Sequence, residues 1–373
     1  MNKSNFFWGL LSLLIFASFS FSLVSCSDDD DSNDSNNSNN EHITIRDDGS
    51  TNNGSIFSSI DDKNFYLDYI KYTVVDGHLV VTGYDKVGFK GIAKIVSSIS
   101  YKGSYYEVLE IGSDSFRDCS ILTSITISNK VRTINFRAFD NCINLTTIVL
   151  PNSMITIGYG AFDSCKKLKD IIIPNSVQII DDYAFHESGL TSITIPNSIK
   201  SIIPTAFLGC PITSIIVNKE NQYFDSRDNC NAIIETSSNC LIVGCENTII
   251  PESVTSIGNH AFGGCTGLPS INISNNITSI GYATFSGCTG LSSINIPSSV
   301  SNLGLAAFHG CLGLKYIHCQ VKDPNIVYYP DWGVTDVFSN ETYKNAQLFV
   351  PKGTIDAYKS TKPWKQFVNI KEE

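Results

Sequence analysis

Cysteine and histidine are the residues of this chain best suited to chemistry, because thiolates and imidazoles act as nucleophiles, bases and metal ligands. The sequence of 373 residues contains 12 cysteines and six histidines. Seven cysteines share one position of a repeating pattern, three residues after a phenylalanine: Cys119, Cys142, Cys165, Cys210, Cys265, Cys288 and Cys311. The fourth unit has Ser188 there instead. This pattern indicates small side chains packed in a core, not redox centres.

The other cysteines leave a disulfide hypothesis open. Cys230, Cys240, Cys245 and Cys319 lie off the repeat. An exported protein can form disulfides, so a bridge from Cys230 to Cys240 or Cys245 is one hypothesis, although sequence does not determine connectivity. Neither Cys-x-x-Cys nor His-x-x-x-His occurs. We therefore expect no metal site and no cofactor.

Motifs for catalysis and nucleic-acid binding are also missing. The sequence has no Gly-x-Ser-x-Gly elbow for a nucleophilic serine, and Gly263-Gly264 lacks the lysine of a phosphate-binding loop. Carboxylates are sparse in the repeats and form no recurrent pair of the kind glycosidases use. No basic patch or run points to nucleic acid. We expect a non-catalytic protein.

The elements that would have to position any site are short, regular repeats. Eight phenylalanines, most of them preceded by alanine, recur at intervals of 23, 23, 23, 22, 55, 23 and 23 residues. They are Phe116, Phe139, Phe162, Phe185, Phe207, Phe262, Phe285 and Phe308. Each unit opens with L-x-x-I-x-I or a close variant and ends near its Phe. Because so short a unit cannot cover its own apolar face, the units must stack and align Ile, Phe, Leu and Cys in ladders.

The consensus L-x-x-I-x-I-P-x-S-V-x-x-I-G-x-x-A-F-x-x-C resembles the BspA-like leucine-rich repeat, also called the Treponema pallidum type, over roughly residues 108–318. The resemblance implies a mainly β fold, a leucine-rich-repeat solenoid of stacked units of about 23 residues. It also implies a β-rich N-terminal cap and a short helical C-terminal cap. Members of this family are associated with attachment to host matrix proteins or to other cells, which is the function implied here.

One interval, from Phe207 to Phe262, is longer than the others by about 32 residues. Within it, 231–236 and 239–245 are apolar-rich runs joined by Ser237-Ser238, a pattern typical of a β-hairpin. We therefore predict repeats over 108–319 with a hairpin insertion at about 218–248, an N-terminal cap at 56–107 and a C-terminal cap at 320–373. A short helix is expected from Thr354 to Ser360.

Residues 1–25 are typical of a lipoprotein signal peptide. Lys3 supplies the positive charge, residues 6–24 are apolar, and Leu23-Val24-Ser25-Cys26 resembles a bacterial lipobox. That resemblance implies diacylglycerol on the Cys26 thiol and a membrane contact through the lipid. An ordinary signal peptide and a membrane-spanning helix are the alternatives.

Residues 26–55 form an acidic, Ser- and Asn-rich tether that we expect to be disordered. Residues 27–50 hold eight acids and one base, a net −7 of the −10 on the whole chain. The run Ser27-Asp28-Asp29-Asp30-Asp31 resembles the surface-export signal of Bacteroidota lipoproteins, which implies the outer face of the outer membrane. A merely solvated linker is the alternative.

The candidate binding surface comes from two places. The x residues of L-x-x-I-x-I face away from the core, and as a set they are polar and nearly neutral with one aromatic, a composition poor for tight contacts. The residues on that face with charge or an aromatic ring are Lys169, Asp170, Lys315, Tyr316 and His318. The hairpin insertion is more individual, and contributes Tyr223, Phe224, Asp225, Arg227 and Asp228.

Together these features predict a cell-surface lipoprotein scaffold for adhesion or protein–protein recognition, with a host or bacterial surface protein as its partner. Two alternatives stay open. One is a glycan-capture accessory of a polysaccharide-uptake system, which an aromatic cluster on the folded surface would favour. The other is a structural envelope component.

Overall fold

A computed structural model describes residues 42–46, 50–329 and 336–373. The signal peptide, Cys26 and the acidic run up to residue 41 lie outside the described residues. All described residues belong to one compact unit, Ser38–Glu373.

The N-terminal cap consists of eight strands. They are β1 (His42–Thr44), β2 (Phe57–Ser59), β3 (Asn64–Leu67), β4 (Ile70–Val75), β5 (His78–Tyr84), β6 (Ile92–Ile95), β7 (Ser98–Tyr101) and β8 (Ser104–Ile111). Strands β2 to β5 form an antiparallel meander, and β5 then pairs in parallel with β8. Ile111 of β8 pairs with Ile134 of the repeats, so the cap continues directly into the stack.

The predicted tether is wrong at its distal end. His42–Thr44 is a strand that pairs in parallel with β7, with His42 opposite Ser98. Ile43 and Ile45 are 1% and 7% exposed. Their alternation with polar residues is that of a half-buried strand, and burying them stabilises a segment whose surroundings in sequence are polar.

The first repeats contribute eight further strands. They are β9 (Ser124–Ile127), β10 (Thr133–Ile134), β11 (Thr147–Val149), β12 (Thr156–Ile157), β13 (Ile179–Ile180), β14 (Ser192–Ile195), β15 (Ser201–Ile202) and β16 (Ser214–Val217). The L-x-x-I-x-I strands form parallel ladders, β6-β9-β11 and β14-β16, and the short second strands form another, β8-β10-β12-β13-β15. This confirms the predicted β-rich repeat solenoid.

The phenylalanines form a continuous stack inside each half of the repeats. Phe116 and Phe139 lie 5.3 Å apart between ring centroids with an interplanar angle of 9°, and Phe139 and Phe162 lie 5.3 Å apart at 3°. The cysteines pack beside them. The Cys142 thiol donates a hydrogen bond to the Phe116 carbonyl at 3.0 Å, and later ladder cysteines repeat this contact. The cysteine position therefore supplies a small apolar group that is also a weak donor.

The insertion and the later repeats contain eight strands. They are β17 (Phe224–Asp225), β18 (Ala232–Glu235), β19 (Cys240–Gly244), β20 (Ser256–Ile257), β21 (Ser279–Ile280), β22 (Ser293–Ile296), β23 (Asn302–Leu303) and β24 (Tyr316–Cys319). The predicted hairpin is confirmed as the antiparallel pair β18 and β19. It does more than project from the repeat, because β19 pairs in parallel with β20 and so begins a second ladder, β19-β20-β21-β23.

The hairpin separates two hydrophobic cores. Ile233 and Val243 pack in the core of the N-terminal half, whereas Ala232, Ile234 and Leu241 pack in the core of the C-terminal half. A strand buried on both faces explains the unbroken apolar run that the sequence shows here.

A glycine ends the second hairpin strand where the Phe stack is interrupted. A Cβ on Gly244 would lie 2.2 Å from the Phe262 ring, so only glycine permits this close approach.

The C-terminal cap contains α1 (Asn340–Asn345), β25 (Gln347–Val350), α2 (Ile355–Ser360) and β26 (Asn369–Glu372). The predicted helix at 354–360 is confirmed as α2. Strands β25 and β26 extend the ladder β22-β24 by two more rungs, and Phe338 adds a ring to the Phe stack, 5.3 Å from Phe308. The cap thus covers the open end of the repeats by imitating them.

Two L-x-x-I-x-I segments depart from the ladder. Residues 169–173 of the fourth unit and 269–273 of the seventh are extended, but neither forms a strand with its neighbours. Among the described residues, no backbone hydrogen bond joins 170–173 to the adjacent units, and Thr191 reaches only the Lys169 carbonyl. The outward sheet therefore has a gap at each of these units.

The Phe stack generates a stability prediction. Phe162 is fully buried between Phe139 and Phe185, so Phe162→Ala should lower the free energy of unfolding by about 3–5 kcal/mol through lost burial and an unfilled cavity. Urea denaturation followed by circular dichroism measures this. Phe136→Ala, at a ring that is 43% exposed, is the control and should cost less than about 1 kcal/mol. Equal effects of the two substitutions would contradict the stacked core.

Candidate functional site

The outward face of the L-x-x-I-x-I strands carries a column of aliphatic side chains. The strand register pairs Val149 with Thr126 and Ile216 with Thr194. The fourth unit lies between these two strand pairs, and the unit spacing puts Ile172 at the corresponding position. Val149, Ile172 and Ile216 are 55%, 85% and 54% exposed. We call these three residues the aliphatic column. The repeat pattern already places these three side chains on the outward face, among outward residues that are mostly polar.

Lys169 and Asp170, predicted as contact residues, lie next to this column. Both are exposed, and Asp170 occupies the outward position beside Ile172 in the same extended segment. Among the described residues, the Asp170 carboxylate has no hydrogen bond or ion pair. Sequence reasoning thus located these two residues correctly but treated their aliphatic neighbours as ordinary sheet residues.

The hairpin residues are mostly structural. Phe224 is 5% exposed and packs in the core, so its prediction as a contact residue is wrong: its ring is buried where β17 pairs with β18. Asp225 forms a close ion pair with Arg227, 2.6 Å between Nη2 and Oδ2. Arg227 also donates to Asn239 at 2.9 Å. Only Tyr223, which is 46% exposed, and Asp228 remain on the surface.

Asn221 anchors the start of the insertion, a role that sequence reasoning missed. Its buried side-chain amide donates to the carbonyls of Pro196 and Ile199, and its Oδ1 accepts from the backbone of Tyr223 and Phe224. No signal in the sequence separates it from the many other asparagines of the chain.

Lys315, Tyr316 and His318 lie in the run that follows the eighth unit. Tyr316 is 52% exposed. His318 stacks on Phe349 at 4.6 Å between ring centroids, and its Nδ1 lies 2.9 Å from the Glu373 carboxylate. These residues share the outward sheet with Asp170, but four units separate the two groups, so they do not form one site.

A second surface feature lies at the turns before the core phenylalanines. Phe136 stacks on Tyr159 at 5.2 Å, and Tyr159 lies 5.6 Å from Tyr183. The Arg137 guanidinium lies over both Phe136 and Tyr159, at 4.9 and 6.0 Å from the ring centroids. An aromatic residue two or three places before the core Phe is the signal that could have revealed this row. The three rings therefore contact one another, and the guanidinium lies over two of them.

Charged side chains along the same turns neutralise one another. Arg117 lies 3.2 Å from Asp140, and His186 lies 3.0 Å from Asp163. Burial raises the pKa of Asp140, and the neighbouring Asp163 adds to this shift. Burial acts in the same direction on Asp163, but the hydrogen bond from His186 helps to outweigh it, so the pKa of Asp163 lies below its ordinary value. These groups stabilise the turns and offer no unpaired charge to a ligand.

The eleven cysteines within the described residues carry no bridges. Cys119, Cys142, Cys165, Cys210, Cys230, Cys240, Cys245, Cys265, Cys288, Cys311 and Cys319 are free thiols. The hypothesis of a bridge from Cys230 to Cys240 or Cys245 is therefore wrong. The Cys230 thiol instead points to the Ala232 carbonyl, at 3.9 Å. Burial raises the pKa of Cys230 to about 11 and that of Cys265 to about 12, which disfavours the nucleophilic thiolate.

Neither a metal cluster nor a membrane span is found in the described part of the chain. No three His, Cys, Asp or Glu side chains there come together to hold a metal ion. No helix in the same ranges combines the length and the apolar character needed to cross a bilayer.

Comparison with known proteins places the repeats in a family. The model of the BspA-type leucine-rich repeat region matches residues 109–234 and 232–329, with six copies. No curated protein matches the chain significantly.

Solved structures of bacterial repeat proteins are similar to this chain. A leucine-rich repeat protein from Bacteroides ovatus is 25% identical, with a TM-score of 0.59 over 83% of this chain and 76% of that one. A leucine-rich cell surface protein from Faecalibacterium prausnitzii is 21% identical, with a TM-score of 0.56 over 85% and 96%. The pneumococcal vaccine antigen PcpA is 19% identical, with a TM-score of 0.55 over 84% and 100%.

The buried thiols generate a labelling prediction. In native protein at about pH 8, the partly exposed Cys240 should react first with a thiol reagent, because burial shields most of the other thiols. Cys265 is also partly exposed but should react much more slowly, because burial raises its pKa to about 12. Mass spectrometry of a Cys26→Ala variant identifies the labelled positions. In urea without reductant all eleven thiols should react. A lower number would reveal disulfides and contradict the free-thiol assignment.

Proposed function

The chain belongs to the BspA-type leucine-rich repeat family, and from this premise we propose that it is a non-catalytic, lipid-anchored surface protein that recognises other proteins. The family is generally one of repeat scaffolds for interaction, not of enzymes. The proposal adds the location of recognition, which is the outward sheet face of the N-terminal half, and adhesion as the biological outcome.

The aliphatic column is the observation that carries this proposal. The fifth unit has Thr194 at the same outward position, so the sheet does not need an aliphatic residue there in order to fold. Val149, Ile172 and Ile216 are nevertheless more than half exposed. Covering each with a partner surface is worth up to about 1.5–3 kcal/mol. Exposed aliphatic side chains collected in one column are typical of a protein-binding surface.

Glycan capture has weaker support. The aromatic row of Phe136, Tyr159 and Tyr183 would favour it, but these rings pack against one another and Arg137 lies over Phe136. A sugar ring packs against an open aromatic face, and the N-terminal half of the outward sheet offers branched aliphatics instead. A purely structural role in the envelope would not explain why the residues of the aliphatic column are apolar and exposed.

Surface placement rests on the N-terminal sequence and on the kind of proteins that share the fold. Leu23-Val24-Ser25-Cys26 supports lipidation at Cys26, and the acidic run after it supports export to the outer face of the outer membrane. Two structurally similar proteins are a cell surface protein and a vaccine antigen, which supports exposure to the outside.

Recognition is tested by removing the column without disturbing the sheet. Val149→Thr with Ile216→Thr reproduces residues that other units carry, so stability should change by less than about 1 kcal/mol. Binding to an array of purified extracellular-matrix and bacterial surface proteins should weaken at least about tenfold, measured by surface plasmon resonance on each protein that the wild type binds.

Asn272→Thr, at the corresponding outward position of the seventh unit, is the matched control and should leave binding unchanged. The proposal fails if the wild type binds no protein on the array, or if the double variant binds as tightly as the wild type.

Anchoring is tested at Cys26. Cys26→Ala removes the acceptor of the lipid, so the protein should leave the membrane fraction and become soluble, because the acyl chains supply the membrane affinity. Fractionation and protease shaving of intact cells follow the two forms. Membrane retention of the variant would contradict lipidation, and resistance of the wild type to shaving would contradict surface exposure.

A further inference from the structure

We propose that the gap at the fourth unit is a binding cleft for an extended segment of a partner protein, one that carries a basic side chain two residues from an aliphatic one. This inference rests on the proposed recognition function and deepens it, because it names the site and the chemistry of the partner segment. It needs no movement of the repeats.

The gap is open enough to receive a chain segment. It forms a cleft of about 440 Å³ between the fourth and fifth units. The residues that line it include Asp170, Ile172, Asn175, Ser192, Thr194 and Asn218. We call this the fourth-unit cleft.

The backbone of the fourth unit lacks its usual partners at this cleft. Within the described ranges, residues 170–173 make no backbone hydrogen bond to either adjacent unit, although Ile171 and Ile173 are only 9% and 6% exposed. Backbone groups that are shielded from bulk water are almost always paired. An extended peptide satisfies such groups by strand addition, since its own amides and carbonyls repeat at the same spacing.

The side chains at the cleft indicate what that peptide carries. Ile172 is 85% exposed, the highest value among the large apolar residues of the outward strands, and covering it requires an apolar side chain. Asp170 is the only charged residue that lines the cleft, and no described residue pairs with it. Lys169 precedes it but does not line the cleft. A lysine or arginine two residues from an aliphatic residue complements this pair, because alternate residues of an extended peptide face the same side.

The same features disfavour other ligands. The cleft has no aromatic ring for a sugar to stack on, and one carboxylate is too few to hold a metal ion. Its single charge is negative and repels nucleic acid. The seventh unit has the same gap in its ladder but carries Ser270 and Asn272 where the fourth has Asp170 and Ile172. The gap alone is therefore a property of the fold, and the ligand chemistry is particular to the fourth unit.

Selection of peptides tests the chemistry directly. Random dodecapeptides displayed on phage are selected on the intact folded protein, and the enriched peptides are synthesised with a fluorescent label. We expect a basic residue two positions from an aliphatic one in the enriched set. Asp170→Ser with Ile172→Thr converts the outward pair of the fourth unit into the pair Ser192 and Thr194 of the fifth. This variant should bind the labelled peptides at least about tenfold more weakly by fluorescence anisotropy.

Two further variants and one exchange experiment complete the test. Asn272→Thr should leave peptide binding unchanged. Ser270→Asp with Asn272→Ile should create a second site at the seventh unit, so that each protein binds two peptides instead of one. In hydrogen–deuterium exchange, the amides of 171–173 should exchange faster than those of 193–195 in the free protein, and peptide should slow them.

The outcomes separate this inference from the proposed function. Failure to enrich any peptide, or equal binding by the Asp170→Ser, Ile172→Thr variant, or exchange at 171–173 unaffected by peptide, overturns the fourth-unit cleft. Protein binding on the array that still depends on Val149 and Ile216 would then leave recognition by the sheet face intact. Loss of both peptide and array binding in wild type overturns both.

Discussion

The structure depends on one constraint: a repeat unit of about 23 residues cannot enclose its own apolar side chains, so each unit must be covered by the next. Every recurrent residue follows from this. The phenylalanines stack ring on ring, with centroids 5.1–5.6 Å apart. Ladder thiols donate a hydrogen bond to the carbonyl of the core phenylalanine in the preceding unit, as Cys142 does to Phe116. The caps follow the same constraint, since β8 pairs with the first short strand of the repeats and β25 continues the last outward ladder.

The same constraint fixes the residue type at some positions of each unit and leaves it free to vary at others. Inward residues of L-x-x-I-x-I must be apolar because they pack in the core. Outward residues contact only solvent or a partner, so core packing does not restrict their type. Differences between units on the outward face therefore carry functional information that the core lacks. Ser192 and Thr194 show the neutral condition of that face, and Ile172 with Asp170 departs from it in both apolarity and charge.

Much of the fold could be predicted because its signals are local and periodic. The repeat, the hairpin and the helix near residue 355 are all visible in spacing and turn residues. Features that depend on how different units align with one another could not be predicted in this way. Val149 and Ile216 are unremarkable one by one and form a column only in register, and the gap at 170–173 is a matter of hydrogen bonds between units. Phe224 was misplaced because the insertion has no repeat to serve as a template.

The hairpin has a mechanical consequence for a protein held at one end. Ladder hydrogen bonds and packed rings transmit cooperativity from unit to unit, but the short-strand ladder stops at β15 and restarts at β19, and the core is split there as well. At the described turns, the fifth and sixth units share one backbone bond, from Gly209 to Gly263, while β14 and β16 still pair across the same junction. Because the short-strand ladder and the core both change at this seam, we expect the two halves to unfold as separate blocks under tension. A load that opens one block would leave the other folded, and the molecule would lengthen in steps under shear without losing its whole tertiary structure at once.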